Sequence, residues 1–308
     1  MIYPAETALR LEKITIQDLL PGEKVILAEV PTENRGELDL WTDLKRDSPE
    51  RIILLNRLSN DKIEFTTLNS DRKEAFLTDP NDLKAIFNGE RFLIDITALR
   101  HSVWAPLIKY VRAQDIDIRV LYVEPKEYKD HPNPSSDTKF DLTTHFESSL
   151  PIAGFSQLLG PEDENKCLFV TMLGFEGSRP IRLLSAIEPV PTVVPIIGVP
   201  GFELEYPTYA VTCNRTLLME ASHQSELRYA KANCPFEAYN VLKDIQRDFP
   251  GYYMYIAPVG TKPHALGAIL YTIDNPMTTE ILYDHPIGKK GRTTGRTIVN
   301  IYNIKKIK

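Results

Sequence analysis

The 308 residues carry 43% hydrophobic and 25% charged side chains, an ordinary balance for a chain that buries a full core. At roughly 150 residues per domain, the length predicts two domains. A net charge of −6 argues against broad duplex-DNA binding, which needs a basic face. No run reaches the ~18 apolar residues of a membrane helix, so no membrane partner is expected. The start, Met1-Ile2-Tyr3-Pro4-Ala5-Glu6, lacks a basic region followed by an apolar stretch, as a secretory signal would have. Cys167, Cys213 and Cys234 are odd in number and form no CxxC pair, so they read as reduced structural thiols of a cytoplasmic protein.

Along the chain, 25–30 and 51–55 read as strands, and Asn60-Asp61 turns the second into 62–67 as a hairpin. Residues 82–87 suggest a short helix. The pattern sharpens at 91. Arg91–Ile96 is an apolar strand, 103–113 puts Val103, Leu107, Tyr110 and Val111 on one helical face, and Asp117–Val123 is a second strand. This βαβ unit over 91–123 predicts parallel pairing. Pro125, Pro132, Pro134, Ser135, Ser136 and Asp137 predict a linker or mobile loop over 124–150, with a domain boundary near 150. Strands are then expected at 168–173, 192–197, 252–257, 280–283 and 297–302, with helices at 181–187, 214–230, 235–247 and 264–273. Pro235 suits a first helical turn. The expectation is an α/β fold, Rossmann-like, with a mostly parallel sheet flanked by helices. A ligand-binding domain would span 151–308, and a less regular N-terminal α+β region 1–150.

Open α/β sheets bind ligands outside the carboxyl ends of their strands. Three loops there carry small or charged residues. In the first, Gly260 permits close approach of a ligand, Thr261 supplies a hydroxyl and Lys262 a cation, beside the free amides of a helix start. The spacing is not that of a Walker A loop. Equally, Gly260 would serve a tight turn and Lys262 a solvated cap. Gly267 predicts close helix–sheet packing. In the second loop, Gly174 and Gly177 precede Ser178 and Arg179 and would suit a phosphate or a polar ring. The third runs from Asp95 through Thr97 and Arg100 to Ser102. A hydroxyl there is often only a helix N-cap, and Asp95 would bond to loop amides. The loop 288–296, with four cations and three glycines, would close over a polyanion, contact single-stranded nucleic acid, or be a solvated hairpin. Asp284-His285 reads as a turn or an acid–base pair. The six histidines show no HxH or HxxxH spacing, and no metal or cofactor is expected.

A strand followed by Gly260-Thr261-Lys262-Pro263 and a small-residue helix resembles the late motif of the CARF superfamily. Those are Rossmann-like sensors of cyclic oligonucleotides in prokaryotic antiviral systems. Val259 stands where the first glycine of that motif often lies, and Gly174–Arg179 would be the early loop. The resemblance spans about residues 165–285 and implies a dimer with the ligand on its two-fold axis. Such sensors are commonly fused to an effector. Asp61-Lys62-Ile63-Glu64 has the residue types of a nuclease core without its arrangement.

Three functions follow as expectations. The first is a nucleotide-sensing or regulatory protein that binds a phosphate-rich ligand and works as a homodimer or hetero-complex. The second is a nucleotide- or nucleic-acid-processing enzyme of phosphodiesterase or nucleosidase type. There Lys262 and Arg179 would stabilise charge, with Asp95 or Glu176 as base. The third is an interaction subunit of a larger complex.

Overall fold

The computed structural model describes residues 8–67, 70–135, 137–147, 151–156, 160–164, 166–221 and 227–305. The first half runs β1 (Ala8–Leu11), β2 (Lys24–Ala28), α1 (Asp39–Asp47), β3 (Ile52–Arg57), β4 (Lys62–Thr67), β5 (Lys73–Phe76), α2 (Pro80–Ile86), β6 (Arg91–Asp95), α3 (His101–Ala113), β7 (Asp117–Tyr128), β8 (Asp130–Ser135), β9 (Thr138–Phe140) and β10 (Thr143–Phe146). The second runs β11 (Cys167–Met172), α4 (Ser178–Leu184), β12 (Thr192–Gly198), α5 (Tyr206–Cys213), α6 (Arg215–Ala221), β13 (Arg228–Ala230), α7 (Pro235–Asp248), β14 (Tyr253–Ala257), α8 (Lys262–Asp274), β15 (Thr279–Ile281), β16 (Pro286–Gly288) and β17 (Thr293–Asn303).

Two large sheets result. One has eight strands in the order β1-β17-β7-β6-β2-β3-β4-β5, parallel from β7 through β3 and antiparallel towards both edges. The other is wholly parallel, in the order β13-β12-β11-β14-β15. The chain is therefore mixed α/β with a largely parallel centre. β6 and β7 pair in parallel through α3, as the βαβ pattern requires.

Period-two alternation sorts the strand residues onto two faces. Ile26, Ile53, Phe92, Ile94 and Val120 of the first sheet, and Leu168, Val170, Val194 and Met254 of the second, face one shared core. Helices α2, α3, α7 and α8 fill it, with Trp104 fully buried at its centre. The alternate residues face outward. Val25, Leu27, Ile52 and Leu54 meet α1 through Leu40, Trp41 and Leu44. Phe169, Val193 and Ile197 meet α4, α5 and α6 through Leu183, Ala210 and Leu217. Gly267 of α8 has its missing Cβ against Ala238 of α7, so the close packing is helix on helix rather than helix on sheet.

Several elements depart from the sequence reading. The proline-rich stretch after 124 is not a loose linker, because β7 continues through Pro125 to Tyr128 and β8, β9 and β10 follow. Pro125, which has no N–H, pairs with Arg296 next to a register shift in β17, where a ladder bond is dispensable. Ser136 and the boundary at 148–150 lie outside the described residues. The helix expected over 214–230 ends earlier. Its described part is α6, residues 222–226 lie outside the described residues, and 228–230 form β13 on β12. The final strand β17, expected beside the C-terminal strands, pairs with β7 and β1 of the first sheet. The first and last described strands thus lie in one sheet. Arg112 of α3 clasps Asp274 of α8 at 2.9 Å, which ties the two halves across the shared helical layer. Among the described residues no helix is long and apolar enough to cross a membrane.

Candidate functional site

The carboxyl ends of parallel strands from both sheets meet around one cavity. Thr32 follows β2, Ala98–Ser102 follow β6, Leu173–Glu176 follow β11, Gly198 and Gly201 come from β12, and Val259–Lys262 follow β14. The three loops singled out in the sequence are therefore brought together. Of their candidate residues, Gly174, Arg179, Gly260, Thr261, Lys262 and Arg100 line the cavity, whereas Gly177, Ser178 and Thr97 do not. The rest of the wall includes Tyr122 and Tyr128 of β7, Tyr206 of α5, Arg35, and residues between 283 and 292.

Lining the cavity does not make a side chain free for a ligand. At the β14–α8 turn, a Cβ on Gly260 would sit 3.0 Å from the carbonyl oxygens of Met172 and Leu173. One on Gly174 would lie 2.7 Å from the carbonyl of Val259. These two glycines let the ends of adjacent strands β11 and β14 pass each other. Thr261 is the N-cap of α8. Its Oγ1 accepts from the His264 amide at 3.3 Å and donates to the Ala232 carbonyl at 2.6 Å. The Lys262 ammonium reaches across to the first half and donates to the carbonyls of Ile96, Thr97 and Leu99 at 2.8, 2.6 and 2.9 Å. All three of its N–H donors are thereby used. Burial lowers its pKa to about 7, against the opposing pull of the nearby Glu33 carboxylate.

The β11–α4 turn is also closed on itself. A Cβ on Gly177 would collide with the Cys213 carbonyl. Ser178 is exposed and begins α4. Arg179 forms a two-pronged pair with Asp284, Nε to Oδ2 at 3.0 Å and Nη2 to Oδ1 at 2.7 Å, and touches Glu176 at 3.3 Å. Arg182 adds a second guanidinium to Asp284 at 2.8 Å. Burial would raise the Asp284 pKa, but the two arginines outweigh it and hold the carboxylate ionised. Asp284 is thus a buried counter-ion to Arg179 and Arg182. His285 lines the cavity with φ at +46°, a left-handed backbone uncommon for a non-glycine residue.

The β6–α3 turn is different. Asp95 and Thr97 are internal: Asp95 accepts from the Thr97 amide at 2.8 Å and from Trp41 Nε1 at 3.2 Å, and Thr97 Oγ1 accepts from the Val123 amide at 3.0 Å. Arg100 is the N-cap residue of α3, but its side chain caps nothing. It contacts Glu147 at 3.3 Å and stays about one-third exposed. His101 Nδ1 lies 2.8 Å from the Tyr283 hydroxyl, whereas its Nε2 is buried with no partner among the described residues. Burial, reinforced by Lys262, Arg179 and Arg292, pushes the His101 pKa well below 6.5 and keeps the ring neutral.

Several features of the cavity escaped the sequence reading. Glu33, sealed beneath it, binds Arg35 Nε at 2.7 Å and the Thr293 hydroxyl at 3.0 Å, and it pairs with Arg292. Arg292 belongs to the basic loop. That loop is a tethered connection between two sheets, with Lys289 on Asp141 at 2.6 Å and Arg296 on the Glu37 carbonyl at 2.9 Å. Aromatic side chains form one side of the cavity. Phe175 packs on Tyr128 at 5.4 Å and on Tyr206 at 5.3 Å, with Phe140 behind them. Their positions are spread over 78 residues of sequence (128 to 206), so no local pattern marks them. Among the described residues, the lining has five cationic side chains, Arg35, Arg100, Arg179, Lys262 and Arg292, and one carboxylate, Glu176. The lining offers both aromatic faces and cationic side chains to a ligand.

No protein-family model matches the chain, and no curated protein matches it.

Proposed function

We propose that the chain is a nucleotide-sensing or regulatory protein whose cavity takes a ligand with an aromatic ring and a phosphoryl group. The observation that carries this reading is the meeting of five strand ends from two sheets on one cavity with an aromatic side and a cationic lining. The order of the wholly parallel sheet supports a Rossmann-like reading of the second half. Numbered along the chain, its strands run 3-2-1-4-5, and the order reverses between β11 and β14, where the Gly174 and Gly260 turns lie. The first sheet reverses likewise between β2 and β6, beside Thr32 and Arg100. Two such halves in one chain suit a cyclic oligonucleotide, the ligand that the resemblance to prokaryotic antiviral sensors implies. Binding would act by favouring one conformation or assembly, homodimeric or hetero-complexed, over another.

The enzyme reading has less support. Three of its four candidate groups, Lys262, Arg179 and Asp95, are consumed by internal bonds. Thermal unfolding in the presence of mono-, di- and cyclic nucleotides tests the sensor reading. A true ligand at a hundredfold excess over its Kd adds about 2.7 kcal/mol of stability. That gain is expected to vanish in Phe175→Ala. No stabilisation by any of these nucleotides at millimolar concentration would remove the reading.

A further inference from the structure

We propose that the phosphoryl group of the ligand sits on the Arg292 guanidinium, at the open edge of a buried Arg35–Glu33–Arg292 cluster, and not at the Gly260-Thr261-Lys262 turn. This deepens the nucleotide reading and rests on it for the aromatic half of the ligand.

Two guanidiniums share the Glu33 carboxylate. Arg35 Nε donates to its Oε2 at 2.7 Å, and Arg292 Nη2 donates to its Oε1. Arg35 is fixed further, because its Nη1 donates to the Val123 carbonyl and its Cζ lies 5.1 Å from the centre of the Tyr122 ring. Arg292 is held by one nitrogen. Its Nε carries one N–H and its Nη1 two, and these have no hydrogen-bond partner among the described residues. They are within reach of a ligand, since the Arg292 side chain lines the cavity and stays 23% exposed. Gly288 leaves them room, because a Cβ there would lie 2.8 Å from Nη1 and 3.4 Å from Nε.

The charge balance is an independent observation. Burial would raise the Glu33 pKa, but Arg35, Arg292 and Lys262 outweigh it and keep the carboxylate ionised. Lys262 and Asp95 act on each other and balance as a pair. Two permanent cations therefore face one anion, and a buried surplus of this kind is costly unless an anion meets it. Elsewhere on the lining the surplus is absent or screened. Arg179 and Arg182 meet Asp284 and Glu176. Arg100 shares Glu147 with Arg57 where all three side chains are partly exposed to solvent. Lys262 has charge but no N–H left to offer. Arg292 has both, and guanidinium donors suit the oxygens of a phosphoryl group. The seat also adjoins the aromatic side, since Thr293 pairs with Tyr128 across β17 and β7, and Tyr128 packs on Phe175.

The test uses the full chain labelled with 15N-arginine and titrated with inorganic phosphate at constant ionic strength. One Nε–H signal, assigned to Arg292 by its loss in Arg292→Lys, is expected to shift and saturate. Arg292→Lys keeps a cation for Glu33 but loses the Nε and Nη1 donors. It should weaken phosphate about tenfold, the scale of one charged hydrogen-bonded contact. Glu33→Gln removes the balancing carboxylate and should tighten phosphate by on the order of tenfold, a change of sign that a purely structural cluster does not give. AMP should bind about tenfold more tightly than phosphate, the scale of one stacked base. Phosphate that leaves every arginine Nε signal unmoved, or that binds Arg292→Lys as tightly as the native chain, overturns the proposal, as does a folded Glu33→Gln that binds it no more tightly. The native chain and Arg292→Lys decide the matter even where Glu33→Gln fails to fold. Nucleotide binding that Arg292→Lys does not weaken removes this seat and keeps the nucleotide reading. An Arg292 signal that responds to phosphate while AMP binds no more tightly than phosphate keeps the seat and removes the nucleotide reading instead.

Discussion

Two strand–loop–helix turns face the same cavity, and they have been finished differently. The turn into α8 carries the residues that sequence chemistry favours: glycine, threonine and lysine before a small-residue helix. Its glycine is spent on strand packing, its threonine on capping, and its lysine on three carbonyls of the opposite half. The turn into α3 begins with Arg100-His101 and carries no glycine. It is nevertheless the one whose helix start has no capping side chain. A pattern suited to anions marks where donors stand. It does not show whether the protein has already used them.

That contrast can be broken at the closed turn first. Lys262→Met should destabilise the fold by about 3 kcal/mol in urea unfolding, because three buried carbonyls lose their donor while the desolvated charge is relieved. An effect near zero would mean that the lysine is free. The next effect is that of acid. His264 in α8 is buried, with its pKa lowered to about 4, and its ring bonds to the Lys231 carbonyl. Between pH 6.5 and 4 the unfolded chain binds the proton that the folded one refuses, so stability falls as pH falls. The loss for this group reaches about 3 kcal/mol by pH 4. Stability measured against pH in His264→Gln should lose that part of the slope. His101 adds to the same trend, since its pKa is also depressed by burial.

The smaller effects have opposite signs at the two turns, which sharpens the comparison most. Thr261→Val removes an existing cap and should cost about 1 kcal/mol. Arg100→Ser installs one where the backbone is already extended, at φ −75° and ψ 154°, and should add roughly 0.5 kcal/mol. Thermal unfolding of the two single variants reads both. A loss at both positions would show that α3 is already capped by other means.

Much of the fold was readable beforehand because its signals are local. The βαβ unit at 91–123, the hairpin from β3 to β4, and the helices α7 and α8 follow from periodicity, a turn pair and two prolines in first turns. Elements decided by distant pairing were not readable. β17 takes its place from β7, some 170 residues earlier in the chain, and the prolines at 125–134 suggest a loop until that pairing tolerates them. The cavity divides the same way. The loops could be located, since strand ends before helices are visible in sequence. The occupancy of Lys262 and Arg179 could not, because Ile96, Leu99 and Asp284 are remote in sequence and nothing near either cation names them.

The most direct measurement of the contrast is a crystal of the full chain soaked in tungstate, a tetrahedral oxyanion whose metal scatters anomalously. The account predicts a peak in the cavity, away from the Gly260–Lys262 turn whose donors are already used. A peak instead at Gly260–Lys262, or none in the cavity, would contradict it.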